Sequence, residues 1–285
     1  MEKEIKRYKY QIISSDILKI IAVVTMLIDH IGAGILEYSI LYYQAPFGLK
    51  RTQVLTLYTV FRIIGRTAFP IFCFLLVEGF MHTRNRFKYL RNLCVFALIS
   101  EIPFDLSVID NSLTDFINPV AYIRELITEY QIDGSIYIFN YQNVYFTLAI
   151  GLITIWIMDN FWSKVVPGYD VELYGKLRAF AVLGSVIATA FGCAVAELLC
   201  TDYGAHGVLL IAVFYLFRSL PVIPQVAGYL SMFSLFLEPY SVASYVLTAL
   251  YNGKRSLILK KMKYFFYIFY PAHLLIIYIV RCILY

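Results

Sequence analysis

Long apolar runs separated by short charged stretches dominate the pattern of this chain. Nine runs can be drawn, at about residues 17–36, 60–80, 89–106, 144–160, 177–199, 205–218, 221–237, 241–252 and 264–284. A run of about 20 apolar residues is typical of a membrane-spanning helix, whereas a membrane barrel shows alternating segments of about 10 residues. The pattern therefore predicts an all-α polytopic bundle of about nine transmembrane helices, between eight and ten. The sixth and eighth runs are short for a full crossing.

Lys and Arg are unevenly distributed among the loops, and this predicts the orientation of the spans. Basic residues cluster before the first run, in 84–88 and in 254–263, whereas 107–143 carries five acidic residues and a single Arg124. A cytoplasmic N-terminus followed by nine spans places every basic loop inside, with Lys50 and Arg51 as exceptions. Residues 1–285 are therefore predicted to form one transmembrane domain. Its 107–143 insertion is expected to be an extracytoplasmic loop with a short amphipathic helix near 117–130.

Composition supports this class. The chain is 60% hydrophobic and 15% charged, whereas soluble domains carry about 25% charged residues. A soluble enzyme with one anchor is therefore excluded, and a multi-pass protein of the plasma or inner membrane, in contact with lipid, is predicted. The first run lacks a small-residue cleavage site and is expected to remain in place. The five cysteines are isolated, so they indicate neither a zinc site nor a disulfide framework.

Several ionisable residues lie inside the apolar runs, where each costs about 2.5–3.5 kcal/mol and usually has a function. The first run holds an adjacent acid and base, Asp29 and His30. We interpret both as catalytic, with a packing histidine as the alternative reading of His30. The predicted substrate-binding residues from the other runs are Arg62, Arg66, Glu78, Glu101 and His273. Asp29 is also expected to form a buried ion pair with Arg62 or Arg66.

A basic stretch, HTRNRFKYLR (82–91), follows the second run. Such a stretch is typical of a positive-inside topology signal in contact with anionic lipid. It also suits a phosphate-binding patch, because guanidinium groups bind phosphate through two parallel hydrogen bonds. The residues predicted to contact a cytosolic nucleotide-bearing cofactor are His82, Arg84, Arg86 and Lys88. Neither a Walker loop nor a GxGxxG loop is present, and no metal site or nucleic-acid partner is predicted.

Seven segments resemble the TraX family of integral membrane proteins. They are LKIIAVVTMLIDHIG (18–32), FRIIGRTAFPIFCFLLVEGFMHT (61–83), YLRNLCVFALISEIPFDL (89–106), NVYFTLAIGL (143–152), DYG (202–204), YNGKR (251–255) and FFYIFYPAHLLIIY (265–278). The similarity extends over nearly the whole chain except 107–143, and the pattern GR-x-AFP-x-F followed by EGF-x-HT is specific. The family is named for a conjugation protein that acetylates the N-terminus of F-pilin, and it looks related to transmembrane acyltransferases.

The resemblance implies acetyl transfer from cytosolic acetyl-CoA to an amine or hydroxyl of an acceptor at or across the membrane. A pilin N-terminus is one such acceptor. His30 would be the base, Asp29 or Glu101 would orient its ring, and Arg62 and Arg66 would face the same cavity as His273. A proton-coupled transporter remains the alternative, because intramembrane acids, bases and arginines also suit a proton relay. A non-enzymatic membrane scaffold is a third reading.

Overall fold

Helices make up almost all of the part of the chain that the structure, a computed structural model, describes. This part comprises residues 10–42, 48–109, 130–132, 135–137, 141–165, 171–220, 222–236, 239–254 and 264–285. The helices are α1 (Ser15–Ile31), α2 (Glu37–Leu41), α3 (Arg51–Gly65), α4 (Ala68–His82), α5 (Arg86–Phe104), α6 (Val144–Trp162), α7 (Val171–Leu198), α8 (Gly204–Phe217), α9 (Ile223–Phe236), α10 (Val242–Ala249) and α11 (Phe265–Leu284). Two short antiparallel strands, β1 (Tyr130–Ile132) and β2 (Ser135–Tyr137), accompany them.

Each of the nine predicted runs contains a helix, so the predicted helical membrane fold is confirmed at this level. Among the described residues, five stretches are long and apolar enough to cross a bilayer, namely Ser15–Leu41, Arg51–His82, Val144–Trp162, Glu172–Leu198 and Phe265–Leu284. The α8 helix is apolar but has 14 residues, and α10 has eight. The number of nine spans and their orientation stay predictions.

The second span differs from its predicted bounds of 60–80. Its first helix, α3, begins at Arg51. The backbone N–H of the N-cap residue Lys50 donates to the Gln53 side chain at 2.8 Å and caps the helix. The chain then turns at Arg66 and Thr67 before α4 continues in the same stretch. Arg66 therefore lies near the middle of Arg51–His82, whereas the predicted run of 60–80 placed it near the start.

Two helices pass into π-helical turns. The first π segment (Gly32–Leu36) follows α1, and the second π segment (Asp105–Ile109) follows α5. Pro103 lies inside the last turn of α5 and has no backbone N–H to donate, which disturbs the helical hydrogen bonds there. Both π segments pack against α11. Such turns occur frequently at functional sites.

Small residues let the central helices approach one another, as is common in membrane bundles. A Cβ atom on Gly151 of α6 would collide with Ile211 of α8, and one on Gly192 of α7 would collide with Thr154. The centre of the bundle is apolar and fully buried, with Phe80 and Leu152 among its largest side chains. Large apolar residues are also exposed on the outer surfaces of the helices, as expected where lipid covers them.

The start of α6 is tied to the connection between α7 and α8. The Gln142 backbone N–H donates to the Cys200 carbonyl at 2.9 Å, and the Asp202 N–H donates back to the Gln142 carbonyl at 2.8 Å. Asn143 then caps α6 by accepting from the Tyr145 N–H at 3.1 Å. The amphipathic helix predicted near 117–130 lies outside the described residues, apart from Tyr130 in β1.

Candidate active site

Two histidines from distant parts of the chain meet inside the bundle. His30 lies in the penultimate position of α1 and His273 lies near the middle of α11. The distance from His30 Nδ1 to His273 Nε2 is 2.6 Å, which is that of a hydrogen bond. The two rings stack with an interplanar angle of 16° and a centroid separation of 4.9 Å. We refer to His30 and His273 as the histidine dyad.

The hydrogen bonds of the histidine dyad fix its proton positions in the neutral state. His273 Nδ1 lies 2.7 Å from the Phe269 carbonyl oxygen, which only accepts, so Nδ1 carries the hydrogen. Nε2 of a neutral His273 is then an acceptor, and His30 Nδ1–H donates to it. His30 Nε2 consequently carries a lone pair, and it has no partner among the described residues. His30 therefore presents one basic nitrogen, held in a defined tautomer.

Aromatic side chains surround the dyad. The Tyr270 ring meets the His30 and His273 rings edge-on at centroid distances of 5.8 Å and 5.7 Å. Phe269 stacks on His273 at 4.8 Å, and Tyr145 meets Tyr270 edge-on at 5.0 Å. His273 is buried and His30 is half-buried. The site is thus enclosed on the α11 side, while His30 remains partly accessible.

Asp29 binds Arg62, which confirms the predicted ion pair. Arg62 Nη1 donates to Asp29 Oδ2 at 2.7 Å, linking α1 to the last turn of α3. Gly65 makes this approach possible, because a Cβ atom there would overlap the Asp29 side chain. Gly32, three residues after Asp29, lies against Phe61 and Arg62 of α3. Gly32 and Gly65 therefore both allow the close contact between the end of α1 and α3.

The prediction that Asp29 or Glu101 orients the His30 ring does not match these contacts. Glu101 is buried and accepts from the side-chain amide of Asn143, and the Asn143 backbone N–H lies 3.4 Å from the same oxygen. Asn143 also donates to the Ala97 carbonyl at 2.8 Å. The hydrogen-bond partner of His30 is His273 instead. Sequence spacing could not reveal this, because the two histidines are 243 positions apart.

A strained turn brings a further acid to this region. Asp202 lies in the connection between α7 and α8, flanked by Cys200 with φ of 49° and Tyr203 with φ of 63°. Burial raises the pKa of Asp202 to about 6; the Tyr141 hydrogen bond and the charges of Arg66 and Arg62 oppose this shift, whereas Asp29 adds to it. Asp202 thus belongs to the same polar group as the Asp29–Arg62 pair. The sequence analysis did not select it as a site residue.

Arg281 is another residue that the sequence analysis missed. It is buried near the end of α11, where its Nη2 donates to the Leu106 carbonyl at 2.6 Å and its Nη1 donates to the Ser107 carbonyl at 3.3 Å. Its guanidinium also lies over the Tyr38 ring at 4.9 Å. These contacts satisfy carbonyl oxygens of the second π segment and fix α11, which carries His273.

Glu78 lies far from the histidine dyad. It is ten residues beyond Ala68, the first residue of α4, which corresponds to about 15 Å at a rise of about 1.5 Å per residue. Its carboxylate lies 3.7 Å from the His82 ring in the last turn of α4. The structure therefore does not bring Glu78 to the predicted substrate-binding group. It brings together Arg62, Asp29 and the two histidines.

The predicted cofactor-binding residues lie where α4 ends and α5 begins, close to Glu78 and away from the histidine dyad. His82, Arg84 and Lys88 are exposed. Arg86 instead binds Asp159 of α6 at 2.6 Å and lies over the Phe80 ring at 4.3 Å. Arg86 therefore connects α5 to α6 and α4, whereas Arg84 and Lys88 project from the surface.

Comparison with known protein families covers nearly the whole chain. The family model described as TraX protein matches residues 14–281. The chain belongs to the TraX family. The matched region contains both members of the histidine dyad, the Asp29–Arg62 pair and Asp202.

One curated relative has a described role. The TraX-family chain is 27% identical over 266 residues to the Probable fimbrial assembly protein FimC, serogroup H1, of Dichelobacter nodosus, and the match covers 90% of this chain and 91% of that protein. No solved structure matches the chain.

Proposed function

We propose that this protein is a pilin-modifying membrane acetyltransferase, which moves acetyl from cytosolic acetyl-CoA to an amine or hydroxyl of its acceptor. Membership of the TraX family and the fimbrial assembly role given to a relative support the link to pilin. The proposal rests mainly on the histidine dyad. Its hydrogen bonds leave a single basic nitrogen, Nε2 of His30, inside a membrane bundle. The protein is expected in the plasma or inner membrane.

The chemistry follows from the free nitrogen of His30. Nε2 removes a proton from the acceptor amine or hydroxyl while that group attacks the thioester carbon. The carbon–sulfur bond then breaks, and the proton passes from His30 to the CoA thiolate. General-base catalysis of this kind contributes about 10²–10⁴-fold. His273 acts through its hydrogen bond, which holds the His30 ring and stabilises the imidazolium that forms.

Arg62 supplies positive charge near this base, and Arg66 follows Arg62 by four residues. The oxyanion of the tetrahedral intermediate needs such charge, and one preorganised donor contributes about 3 kcal/mol where water is excluded. Asp29 keeps Arg62 in place through the 2.7 Å ion pair. The donor is proposed to enter at the end that carries His82, Arg84 and Lys88 and to extend its pantetheine arm between helices to His30.

Two measurements on the purified protein in nanodiscs test the proposal. Acetyl-CoA or CoA should raise the melting temperature, because a ligand at 100 times its Kd stabilises the folded state by about 2.7 kcal/mol. Radiolabelled acetyl-CoA should also label a peptide with the N-terminal sequence of a pilin, and His30→Ala should abolish labelling while CoA still stabilises the variant. Failure of wild-type protein in both assays would contradict the proposal. Proton uptake coupled to a solute, without CoA stabilisation, would indicate a transporter instead.

A further inference from the structure

The connection between α7 and α8 holds Asp202 in a fixed position. Two non-glycine residues with positive φ, Cys200 and Tyr203, flank it within three positions. Such backbone conformations persist only where the surrounding structure enforces them, and they cluster at functional sites. Here the backbone pairing with Gln142 enforces the turn, and the Thr147 hydroxyl donates to the Asp202 carbonyl. The Tyr203 ring adds a stack on Phe69 at 3.6 Å.

The Asp202 side chain uses only one of its oxygens. Oδ1 accepts a hydrogen bond from the Tyr141 hydroxyl at 3.1 Å. Oδ2 has no hydrogen-bond or ion-pair partner among the described residues, although the side chain is half-buried. Asp202 therefore has an open acceptor for a hydrogen-bonding or cationic group.

This open oxygen belongs to the surroundings of the histidine dyad. Asp202 interacts electrostatically with Asp29, Arg62 and Arg66 and also with Tyr270. The Tyr270 ring in turn contacts both histidines.

A second acid near Tyr270 also has an oxygen without a partner. Glu101 interacts electrostatically with Tyr270, and its Oε1 atom is buried without a partner among the described residues. Glu101 is 7% exposed, so this oxygen is withdrawn from water. Tyr270 thus interacts with two acids that each have an open oxygen.

We propose that Asp202 is the acceptor-binding residue. It binds the ammonium of an amine acceptor and accepts the first of the two protons that the ammonium loses during the reaction. This inference rests on the proposed acetyltransferase function. An ammonium ion has no lone pair, so it must lose one proton before it attacks. Asp202 Oδ2 takes this proton and releases it to bulk water on the side of the exposed Tyr141. His30 Nε2 takes the second proton as the amide forms, and this proton leaves with the CoA thiolate.

The proposal also explains selectivity for amines. An ammonium compensates the negative charge of Asp202, whereas a neutral hydroxyl leaves the carboxylate unpaired. The charged and titratable groups that act on Asp202 are Tyr141, Asp29, Arg62, Arg66 and Tyr270. The two arginines are near enough to oppose an additional cation, and Asp29 partly offsets them because it adds negative charge near Asp202.

The test measures acetyl transfer to a peptide with a free α-amine, for wild type and Asp202→Asn, between pH 7 and pH 9.5. The α-amine has a pKa of about 7.7–8.0, so it is mostly protonated at pH 7 and mostly free at pH 9.5. Asp202→Asn should lower kcat/KM about 100-fold at pH 7, the typical size of an acid–base contribution. The deficit should shrink to less than about 10-fold at pH 9.5, because a free amine no longer needs the carboxylate.

Three controls separate the possible results. Asp202→Glu keeps a carboxylate and should recover part of the activity, and Tyr141→Phe should cost less than Asp202→Asn because it removes only a hydrogen bond. A peptide whose α-amine is replaced by a hydroxyl should be a poor acceptor for wild type, and Asp202→Asn should reduce that preference. This preference is measured on wild-type protein, so it tests the proposal even where the variants do not fold.

Two results would overturn the role of Asp202: wild-type kinetics in Asp202→Asn at pH 7, or a deficit that is equal at pH 7 and pH 9.5. In both cases the wild-type protein would still transfer acetyl and would still be stabilised by CoA. Failure of the acetyltransferase function itself would instead appear as absent transfer and absent CoA stabilisation in the wild type.

Discussion

His30 Nδ1 lies 2.6 Å from His273 Nε2, and this contact joins positions separated by 243 residues. Since His273 Nδ1 donates to the Phe269 carbonyl at 2.7 Å, the proton between the rings belongs to His30 in the neutral dyad. The lone pair of the dyad is therefore on His30 Nε2. His273 occupies the position that a carboxylate holds in a catalytic triad, but it accepts the hydrogen bond without a negative charge.

The first prediction concerns His273 as a positioning residue. His273→Leu removes the acceptor for His30 Nδ1–H, so kcat should fall about 100-fold while the KM for acetyl-CoA stays near the wild-type value. His273→Gln retains an oxygen acceptor and should recover part of kcat. Steady-state kinetics of the two variants provide the comparison. Equal activity of His273→Leu and wild type would show that the hydrogen bond has no role in the reaction.

The second prediction concerns Gly65. Gly65→Ala places a methyl group into the Asp29 side chain, and relief requires a shift of α1 or α3. The variant should lose about 1–3 kcal/mol, as is typical of overpacking, and should also lose activity. Gly175→Ala is the matched control, because its Cβ atom would meet nothing within 4 Å. Thermal melts should show a decrease for the first variant only, and equal melting temperatures would refute the close contact.

The third prediction concerns the Asp29–Arg62 ion pair. Each single variant, Asp29→Asn or Arg62→Gln, removes the 2.7 Å ion pair and leaves the charge of the other residue. Such losses are typically about 3–5 kcal/mol for a fully buried pair. The side chains here are 14% and 27% exposed, so the loss should be smaller. The double variant should be more stable than the sum of the single variants predicts. Additive losses in a double-mutant cycle would mean that the pair contributes nothing to stability.

The fourth prediction concerns the donor. Arg84→Ala and Lys88→Ala should weaken binding of CoA more than that of dephospho-CoA, because the 3′-phosphate needs positive charge. Arg178→Ala removes an equally exposed cation of α7 and should change neither affinity. Arg86→Ala should mainly lower the melting temperature, since Arg86 is engaged by Asp159. Calorimetric titration measures the affinities, and an equal loss for both ligands would favour a topology signal alone.

The fifth prediction concerns pH and the stability contribution of Asp202. Its folded-state pKa of about 6 lies above its ordinary value of 3.8, mainly because burial disfavours the charged form. The folded state thus binds the proton more tightly, so the contribution of this group to stability falls as the pH rises between these values. Asp202→Asn removes the charge, and its melting temperature relative to wild type should increase from pH 4 to pH 7. A pH-independent difference would contradict the raised pKa.

Local sequence predicted the helices well. Each of the nine apolar runs contains a helix. A helix is expected there because a membrane leaves few other ways to satisfy the hydrogen bonds of the backbone. An ion pair of Asp29 with Arg62 or Arg66 could also be predicted, since two opposite charges in successive spans are costly apart. The start of α3 was misplaced because residues 51–59 mix polar and apolar positions and do not form a continuous apolar run.

The partner of His30 could not be predicted in the same way. Which helix face lies against α1 depends on packing among several helices, and the spacing of residues along the chain contains no such information. Asp202 lies in the DYG segment that resembles the family, but it was not predicted as a site residue. The strained backbone that holds it is visible only as the φ angles of Cys200 and Tyr203. Arg281 was missed because it binds backbone carbonyls of a π-helical turn, and sequence patterns do not indicate these turns.

The most direct test of the proposed function uses proteoliposomes with acetyl-CoA enclosed on one side and an amine peptide on the other. The account predicts that the peptide becomes acetylated with the wild-type protein, that His30→Ala abolishes the transfer, and that His273→Gln gives an intermediate rate. Orientation is controlled by exchanging the sides of donor and acceptor. Undiminished transfer by His30→Ala, or no transfer by the wild-type protein in either arrangement, would contradict the account.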